Sequence, residues 1–406
     1  LEDKLLILTK KRINTMKKAK KLLEALKTIP DYRVDTGKIE YPLHEVLFMT
    51  LFALLKGYTN FKDILGWMVF NAENYILKDI FEKEIIQIPS KSTYHRLLIN
   101  TDNNALEAIF REYFLDYVLQ KSIAIDGKWL KGSDVNGQYT QESHKAMLNI
   151  LDKDIKIVFA HKFLDKNKRS EIKALQEVLE DKLFSEDSQI FSFDALSTQF
   201  EILNTIDEQG KKYIAKLKGN QKNLKEKAIE TVELFDKATD VYEDKDTYLT
   251  EHNQLVSRRV ELFSSSSCNT IMHHEHFNNI QSLIRVTKTL IDPKTGESKK
   301  TIQYSMANFK TTAEEFHEKI LQHWRVETYH YHLDMLTEED DHIAYKEPFS
   351  IAILRSFSIN LYQIFLNANK DKKVLPTGKT TMAEIKRNCR HRDDFTAQLF
   401  EQKDFI

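Results

Sequence analysis

The chain has 406 residues, of which 41% are hydrophobic and 30% charged, and its formal net charge is −1. This length favours two or three domains, and the apolar content is ordinary for a soluble globular protein. Only two cysteines occur, Cys268 and Cys389, which excludes a disulfide framework and a cysteine zinc site and fits a reducing cytoplasm. No run of about 18 apolar residues predicts a membrane span, and the charged N-terminus lacks the features of a signal peptide.

Basic residues are concentrated near the start of the chain. Residues 10–27 carry a basic cluster opposed only by Glu24, within a segment, 1–29, that has the pattern of one or two amphipathic helices. The cluster indicates either a DNA-binding helix or a solvated, positively charged helix face. Its candidate DNA contacts are Lys17, Lys18, Lys20 and Lys21.

The rest of the first 120 residues is also predicted to be helical. Leu43–Leu55 is apolar almost all round, which predicts a buried helix that ends at Gly57. A helix over residues 91–98, capped by Ser90 or Ser92, either enters a DNA groove as part of a helix-turn-helix or presents a polar face to solvent. Its candidate groove contacts are Lys91, Thr93, Tyr94 and Arg96.

Residues 121–220 change to alternating strand and helix patterns. Strands are predicted at residues 122–130, 146–151, 156–163, 189–193 and 213–217, and helices at 170–183 and 198–207. This order is that of an RNase H-like mixed sheet, in which the first and fourth strands are neighbours. Asp126 on the first strand and Asp194 at the end of the fourth would then lie close together.

The second half of the chain contains a predicted insertion. Residues 241–308 alternate like strands and include a strong turn signal at 292–296. Long helices are predicted at about 312–335 and at 351–367. The predicted domains are a helical DNA-binding region (1–120), the first part of an α/β RNase H-like core (121–238), a β-rich insertion (239–309), the remainder of the core (310–370) and a polar C-terminal tail (371–406).

A third acid, Glu327, falls on the first of these long helices. The stripe predicted to face the sheet consists of Phe316, Ile320, Trp324, Glu327, Tyr331 and Asp334. A carboxylate on that stripe needs a partner, and metal shared with Asp126 and Asp194 would supply one. Such oxygen ligands suit Mg²⁺ or Mn²⁺, and two ions would serve the in-line phosphoryl displacement by which DNA is cut and joined.

Each acid also has a simpler interpretation. Asp126 followed by glycine is compatible with a hairpin turn, and Asp194 with a helix cap. Glu327 could pair with Arg325 or a histidine. Other acids that could serve as the third ligand are Asp334, Glu338 and Glu339. Histidines 273, 274 and 276 lie in a Ser/Asn-rich segment and are interpreted as an exposed loop rather than a metal site.

Further residues near the acids are candidate DNA contacts. The segment after the fifth strand offers side chains for phosphate contact, although it could be an ordinary turn. Trp324 could stack on an unpaired base or belong to the core. The candidates are Lys218, Asn220, Gln221, Lys128, Lys131, His323, Trp324 and Arg325.

Several motifs resemble the H-repeat-associated family of bacterial insertion-sequence DDE transposases. They occur in the order 126–133, 168–172, 194–199, 217–221, 323–327, 333–335 and 339–341, preceded by 31–34, 41–43 and 89–93. The resemblance implies an RNase H-like core with Asp126, Asp194 and Glu327 as the metal-binding triad. It also implies Mg²⁺-dependent transposition at inverted-repeat DNA ends by an assembly of at least two subunits, in the bacterial cytoplasm and associated with the nucleoid.

The resemblance has one departure. Related cut-and-paste transposases carry a tyrosine, arginine and lysine around the third acid, and these positions are here Ile320, His323 and Asp334. Details that depend on those residues, such as a hairpin at the transposon end, are not implied. Two other functions remain open: a domesticated DNA-binding protein without catalysis, and an RNase H-fold nuclease that cuts without joining.

Overall fold

A computed structural model gives the architecture. It describes residues 16–33, 39–130, 145–164, 168–181, 184, 190–193, 199–219, 222–235, 237–249, 255–264, 277, 279–341, 347–370, 372, 374–375, 378 and 380–402. The basic residues Lys10, Lys11 and Arg12 therefore lie outside the described residues, as do histidines 273, 274 and 276.

The described part of the N-terminal third is helical. Its helices are α1 (Lys17–Leu26), α2 (Leu43–Leu55), α3 (Phe61–Phe70), α4 (Tyr75–Phe81), α5 (Lys91–Ile99) and α6 (Asn103–Leu115). α2 is buried on nearly every side, as its apolar sequence predicts. Gly57 follows it with φ +85°, a left-handed conformation suited to glycine after a helix.

A nine-stranded mixed sheet forms the centre of the described chain. Its first five strands and their helices are β1 (Ser122–Leu130), β2 (Lys145–Asp152), β3 (Ile157–Leu164), α7 (Lys168–Glu180), β4 (Ile190–Phe193), α8 (Phe200–Glu208) and β5 (Lys212–Leu217). β1 pairs antiparallel with β2 and parallel with β4. The expected adjacency of the first and fourth strands is therefore confirmed.

The insertion extends this sheet rather than forming a separate one. After α9 (Lys222–Glu233) come β6 (Asp240–Leu249), β7 (Leu255–Phe263), β8 (Ser282–Ile291) and β9 (Ser298–Ala307). β9 pairs antiparallel with β5, which gives the strand order β3-β2-β1-β4-β5-β9-β8-β7-β6. The insertion is thus held beside the core by backbone hydrogen bonds.

Two long helices follow the insertion. α10 (Ala313–Thr337) begins at Thr312, whose hydroxyl accepts the Glu315 N–H at 3.2 Å, and contacts β6, β7 and β1. α11 (Phe349–Ala368) is the one described helix long and apolar enough to cross a membrane. The most apolar 18 residues of this helix are 94% buried inside the protein, as expected of a core helix.

The segment predicted to be a polar tail is folded in its described part. It forms α12 (Met382–His391), α13 (Asp393–Gln398) and a 3₁₀ turn, Leu399–Glu401. Phe400 stacks on Phe48 of α2, with ring centroids 5.4 Å apart. The C-terminal segment therefore packs against the N-terminal helices. Thr381 caps α12, since its hydroxyl accepts the Glu384 N–H, and this Thr and Glu spacing is a signal that could have predicted the helix.

Candidate active site

The first predicted acid lies where β1 extends past its neighbour β4. Asp126 pairs across the sheet with Asn149 on β2, and its side chain is 25% exposed. Its Oδ1 accepts a hydrogen bond from the Gly127 N–H at 3.0 Å. β1 continues to Leu130, so the interpretation of Asp126 as a hairpin-turn residue is wrong.

β4 ends beside the same point. The two strands are parallel, and their last paired residues are Ile125 of β1 and Phe193 of β4. In the sequence, Asp126 follows Ile125 and Asp194 follows Phe193. Asp194 itself lies outside the described residues, so its position next to Asp126 stays a prediction.

Helix α10 carries Glu327 over these strand ends. His323, one turn before Glu327, has its Nδ1 3.0 Å from Ser192 Oγ on β4. His330, one turn after Glu327, has its Nδ1 3.7 Å from Asp126 Oδ2 on β1. Residues three and four apart share one face of a helix. Glu327 therefore lies between the two residues through which α10 contacts β4 and β1.

The buried stripe of α10 differs from the predicted one. The sequence placed Glu327 and Tyr331 on the buried stripe, but Glu327 is exposed and Tyr331 is 51% exposed. Val326, Tyr329 and Leu333 are buried instead, because apolar side chains gain from burial and a carboxylate loses. This part of the prediction is wrong, and Glu327 lies at the border of the buried face, open to solvent.

His330 is a neutral neighbour of Asp126. Burial lowers the pKa of His330 to about 3, with a smaller effect from the charge of Lys128. Its Nε2 lies 2.8 Å from the Asn149 amide nitrogen, which only donates, so the assigned tautomer has its proton on Nδ1. The 3.7 Å contact with Asp126 is too long for a hydrogen bond, and His330 does not neutralise that carboxylate.

Lys128, predicted to contact DNA, is buried in an acidic cluster. It lies two residues after Asp126, and its Nζ is 2.7 Å from Asp334 and 3.6 Å from both Glu339 and Asp340. Burial by itself would lower the pKa of Lys128. The three carboxylates outweigh that effect, so the pKa of Lys128 is raised overall. The ammonium is engaged in internal ion pairs, which contradicts the predicted DNA contact.

The acids that competed with Glu327 for the third position are engaged elsewhere. Asp334 and Glu339 face Lys128. Glu338 accepts a hydrogen bond from the Thr59 hydroxyl at 2.6 Å. Glu327 is the remaining candidate, and it lies between His323 and His330, which contact β4 and β1.

The donor set of the site suits a hard divalent cation. Asp126 and Glu327 offer carboxylate oxygens, the ligands that Mg²⁺ and Mn²⁺ prefer. Within the described ranges, no group of three or more His, Cys, Asp or Glu side chains could hold a metal ion. Asp194, the third predicted ligand, lies outside those ranges.

Comparison with protein families identifies the chain. Residues 123–358 match the family described as Transposase DDE domain, which is more than half of the chain, and residues 23–114 match the one described as DDE_Tnp_1-associated. The chain belongs to the DDE transposase family. A solved structure, the piggyBac transposase synaptic complex with hairpin DNA, aligns with 88% of this chain and 72% of that chain, with a TM-score of 0.47 and 9% sequence identity.

Three of the relatives of this transposase are proteins of Escherichia coli (strain K12). "H repeat-associated putative transposase YhhI" is 25% identical over 334 residues, covering 79% of this chain and 84% of the relative. "Putative protein YbfL" is 26% identical over 335 residues, with the same coverage. "H repeat-associated putative transposase YbfD" is 28% identical over 215 residues, covering 50% of this chain and 79% of the relative. The resemblance to the H-repeat-associated family is confirmed.

A basic and aromatic cluster surrounds Trp324, one turn before Glu327 on α10. The Trp324 ring centroid lies 5.0 Å from the Arg258 guanidinium and 5.7 Å from Lys288 Nζ. Arg258 and Lys288 are directly paired across β7 and β8. The sequence prediction missed both because their approach to Trp324 depends on how α10 packs against the insertion. Lys216, on β5, lines the adjoining cavity.

The other candidates near the DDE site have different environments. His323 is 9% exposed and contacts Ser192, and the Arg325 guanidinium donates to the Lys153 carbonyl. These internal contacts contradict a role for His323 as a surface DNA contact. Lys218 is exposed. Lys131, Asn220 and Gln221 lie outside the described residues.

The candidate recognition helix α5 is confirmed as a helix, with one of its predicted contacts excluded. Ser90 caps it, since its Oγ accepts the Thr93 N–H at 3.3 Å. Lys91 and Arg96 are exposed, and Thr93 is half-buried. Tyr94 is 0% exposed and lies 3.1 Å from the Thr50 hydroxyl, so the prediction that Tyr94 faces a DNA groove is wrong.

The basic helix α1 is partly structural. Lys18 Nζ donates to the Tyr117 hydroxyl at 2.9 Å and to the Gln402 carbonyl at 2.7 Å. Lys20 Nζ forms an ion pair with Glu82 Oε1 at 2.6 Å. The predicted lysines with exposed side chains are Lys17 and Lys21.

Proposed function

We propose that this protein is an active DDE transposase that cuts DNA at the inverted-repeat ends of an insertion sequence and joins the freed ends to target DNA. The RNase H-like core would carry Asp126, Asp194 and Glu327 as its catalytic, metal-binding acids. The observation that carries the proposal is the placement of α10. Its histidines one turn on either side of Glu327 contact β4 and β1, which supports a position for Glu327 near Asp126 and the end of β4.

The carboxylates fit Mg²⁺, or Mn²⁺ in its place, with two ions per site. When bound, such ions supply a nucleophile and stabilise the leaving oxygen in an in-line phosphoryl transfer. The chain itself would supply the alignment: the parallel register of β1 and β4 would set the spacing of the two aspartates, and α10 would hold Glu327. Neutral His330 packs beside Asp126 without neutralising its charge.

Double-stranded DNA is the proposed partner. Trp324, flanked by Arg258 and Lys288, suits a base at the transposon end together with its phosphates. Lys91 and Arg96 on α5 suit the duplex of the inverted repeat, with Lys17 and Lys21 contributing charge. Because two ends are processed together, we expect a homodimer or larger assembly on DNA, in the cytoplasm and at the nucleoid.

A combined cleavage and joining assay tests this function. The purified protein is incubated with paired element ends and a supercoiled target, in Mg²⁺, in Mn²⁺ and in a chelator. The proposal expects nicks at the element boundary and joined products only with metal. Cleavage without joining would indicate a nuclease. Salt-sensitive binding without cleavage under both metals would indicate a DNA-binding protein that has lost catalysis.

A further inference from the structure

Lys128 is a buried cation that ties β1 to α10. Its side chain is 6% exposed, and its Nζ donates to Asp334 Oδ1 at 2.7 Å. Glu339 and Asp340, in the turn after α10, each have an oxygen 3.6 Å from the same Nζ, which is an ionic contact rather than a hydrogen bond. The proposed reaction leaves this ammonium unused, so its position two residues after Asp126 needs an explanation.

The ion pair joins the two surfaces that carry the proposed ligands. Residues two apart share one face of a strand, and both Asp126 and Lys128 of β1 meet side chains of α10. His330 Nδ1 lies 3.7 Å from Asp126 Oδ2, and Lys128 is bound one turn further along the helix. Seven residues are close to two full helical turns, so Glu327 and Asp334 project from nearly the same side of α10. The ion pair therefore connects the strand face of Asp126 to the helix side of Glu327.

A buried ion pair supplies direction more than stability. Taking an ammonium out of water is costly, and apolar side chains of similar volume often stabilise a protein equally well. Apolar contacts are non-directional, whereas a charge-assisted hydrogen bond fixes both distance and orientation. The pair of Lys128 and Asp334 therefore suits a place where the spacing of a strand and a helix must be held. A shared Mg²⁺ sets such a requirement, because this ion demands near-ideal octahedral geometry.

We propose that Lys128 and Asp334 are a positioning pair, which holds the strand of Asp126 and the helix of Glu327 at the spacing that a shared divalent cation requires. Neither member of the pair is itself a metal ligand. Within the described residues, the ion pairs of Lys128 are with the three carboxylates named above, so its ammonium does not compete with a cation for Asp126. The proposal rests on the proposed function, since it assumes the cation that Asp126 and Glu327 would share.

Binding of Mn²⁺ tests the positioning pair without depending on cleavage. Free Mn²⁺ is measured by electron paramagnetic resonance during titration of each protein, and binding at the site is the part that Asp126→Asn loses. Asp334→Leu has a similar shape but no acceptor. We expect its Mn²⁺ affinity to fall at least about tenfold, the usual loss when a group that orients metal ligands is removed. Asp334→Asn keeps an acceptor for the Lys128 ammonium and should bind Mn²⁺ more nearly like wild type.

Two further variants separate positioning from stability. Glu177→Leu breaks the 2.7 Å ion pair between Lys162 of β3 and Glu177 of α7. That pair also joins a strand to a helix, but neither element carries a proposed ligand, so Mn²⁺ binding should not change. Lys128→Arg keeps the positive charge but has a longer side chain with a planar head group. It should fold and still bind Mn²⁺ less tightly than wild type, because the spacing of β1 and α10 changes.

The metal dependence of cleavage supplies the second measurement. In Asp334→Leu we expect the Mn²⁺ concentration for half-maximal cleavage to rise about tenfold, with KM for DNA unchanged. Wild-type Mn²⁺ affinity in both Asp334→Leu and Lys128→Arg would overturn the proposal, and Lys128→Arg alone decides if Asp334→Leu does not fold. Wild-type protein whose Mn²⁺ binding is unaffected by Asp126→Asn would also overturn it. Weakened Mn²⁺ binding in the variants, with no cleavage by wild-type protein, would refute the proposed function and leave the positioning pair standing.

Discussion

At the scale of single residues, Lys128 is the cation of an internal acidic cluster. Its partners Asp334, Glu339 and Asp340 come from the end of α10 and the turn after it. The sequence pattern did not predict this environment, because these partners are far from Lys128 along the chain. That turn exists because Glu338 adopts a left-handed conformation, with φ +51°.

The Lys128 cluster yields a prediction about stability. Lys128→Met leaves three carboxylates around the site without their cation, and removing one partner of a buried ion pair costs roughly 3–5 kcal/mol. We expect a loss of this size in the free energy of urea unfolding. Adding Glu339→Gln to Lys128→Met should restore part of it.

The control for this prediction is a pair with similar chemistry near the surface. Lys162 and Glu177 are about 41% and 42% exposed, and such pairs contribute about 0–1 kcal/mol. Lys162→Met should therefore unfold almost like wild type. Equal losses in Lys128→Met and Lys162→Met would contradict the assignment of Lys128 as the buried counter-ion.

At the scale of elements, periodicity gave most helices and strands but misjudged the rotation of α10. The predicted stripe included Glu327 because its spacing from Phe316 and Trp324 is helical. The alternative stripe through Val326, Tyr329 and Leu333 was equally compatible with that period, and packing selected the more apolar one. Periodicity identifies a helix, whereas the face it buries depends on the partner surface.

The C-terminal 3₁₀ turn stabilises the first described helix. Glu401 Oε1 accepts the N–H groups of Lys18 and Ala19, at 2.9 and 3.1 Å, and so caps α1 from a distant part of the chain. Glu401→Ala should lower the free energy of unfolding by about 1 kcal/mol, the usual loss for a capping side chain. Glu24→Ala, an exposed acid on the same helix, serves as the control. Equal unfolding of the two variants would contradict the capping role.

At the scale of the whole molecule, strand order was predictable and the extent of the sheet was not. The adjacency of β1 and β4 followed from the order of strands and helices in the sequence and the rules of chain connection. The joining of the insertion through β5 and β9 depends on backbone hydrogen bonds between distant segments, which no local pattern records. The same holds for the packing of the C-terminus, since Phe400 meets Phe48 across nearly the whole chain.

The buried, neutral side chain of His161 should make the free energy of unfolding fall in acid. Burial lowers the pKa of His161 to about 3, whereas an unfolded histidine titrates near 6.5. Below about pH 6.5, His161 is protonated in the unfolded chain but stays neutral in the native chain. The free energy of unfolding therefore falls by up to about 1.4 kcal/mol per pH unit for this residue. Urea unfolding between pH 6.5 and 5 should show a shallower decline in His161→Gln. The exposed His391→Gln variant should keep the wild-type slope, and identical slopes in all three proteins would contradict the prediction.

One comparison of variants tests most directly whether Glu327 is a catalytic carboxylate. Cleavage at the element boundary is measured in Mg²⁺ for wild type, Glu327→Gln and Glu318→Gln, the last being an exposed glutamate on the same helix. DNA affinity is measured in parallel. We predict that Glu327→Gln binds the ends with wild-type affinity but loses cleavage by at least about a thousandfold, while Glu318→Gln cleaves normally. Normal cleavage by Glu327→Gln would contradict it.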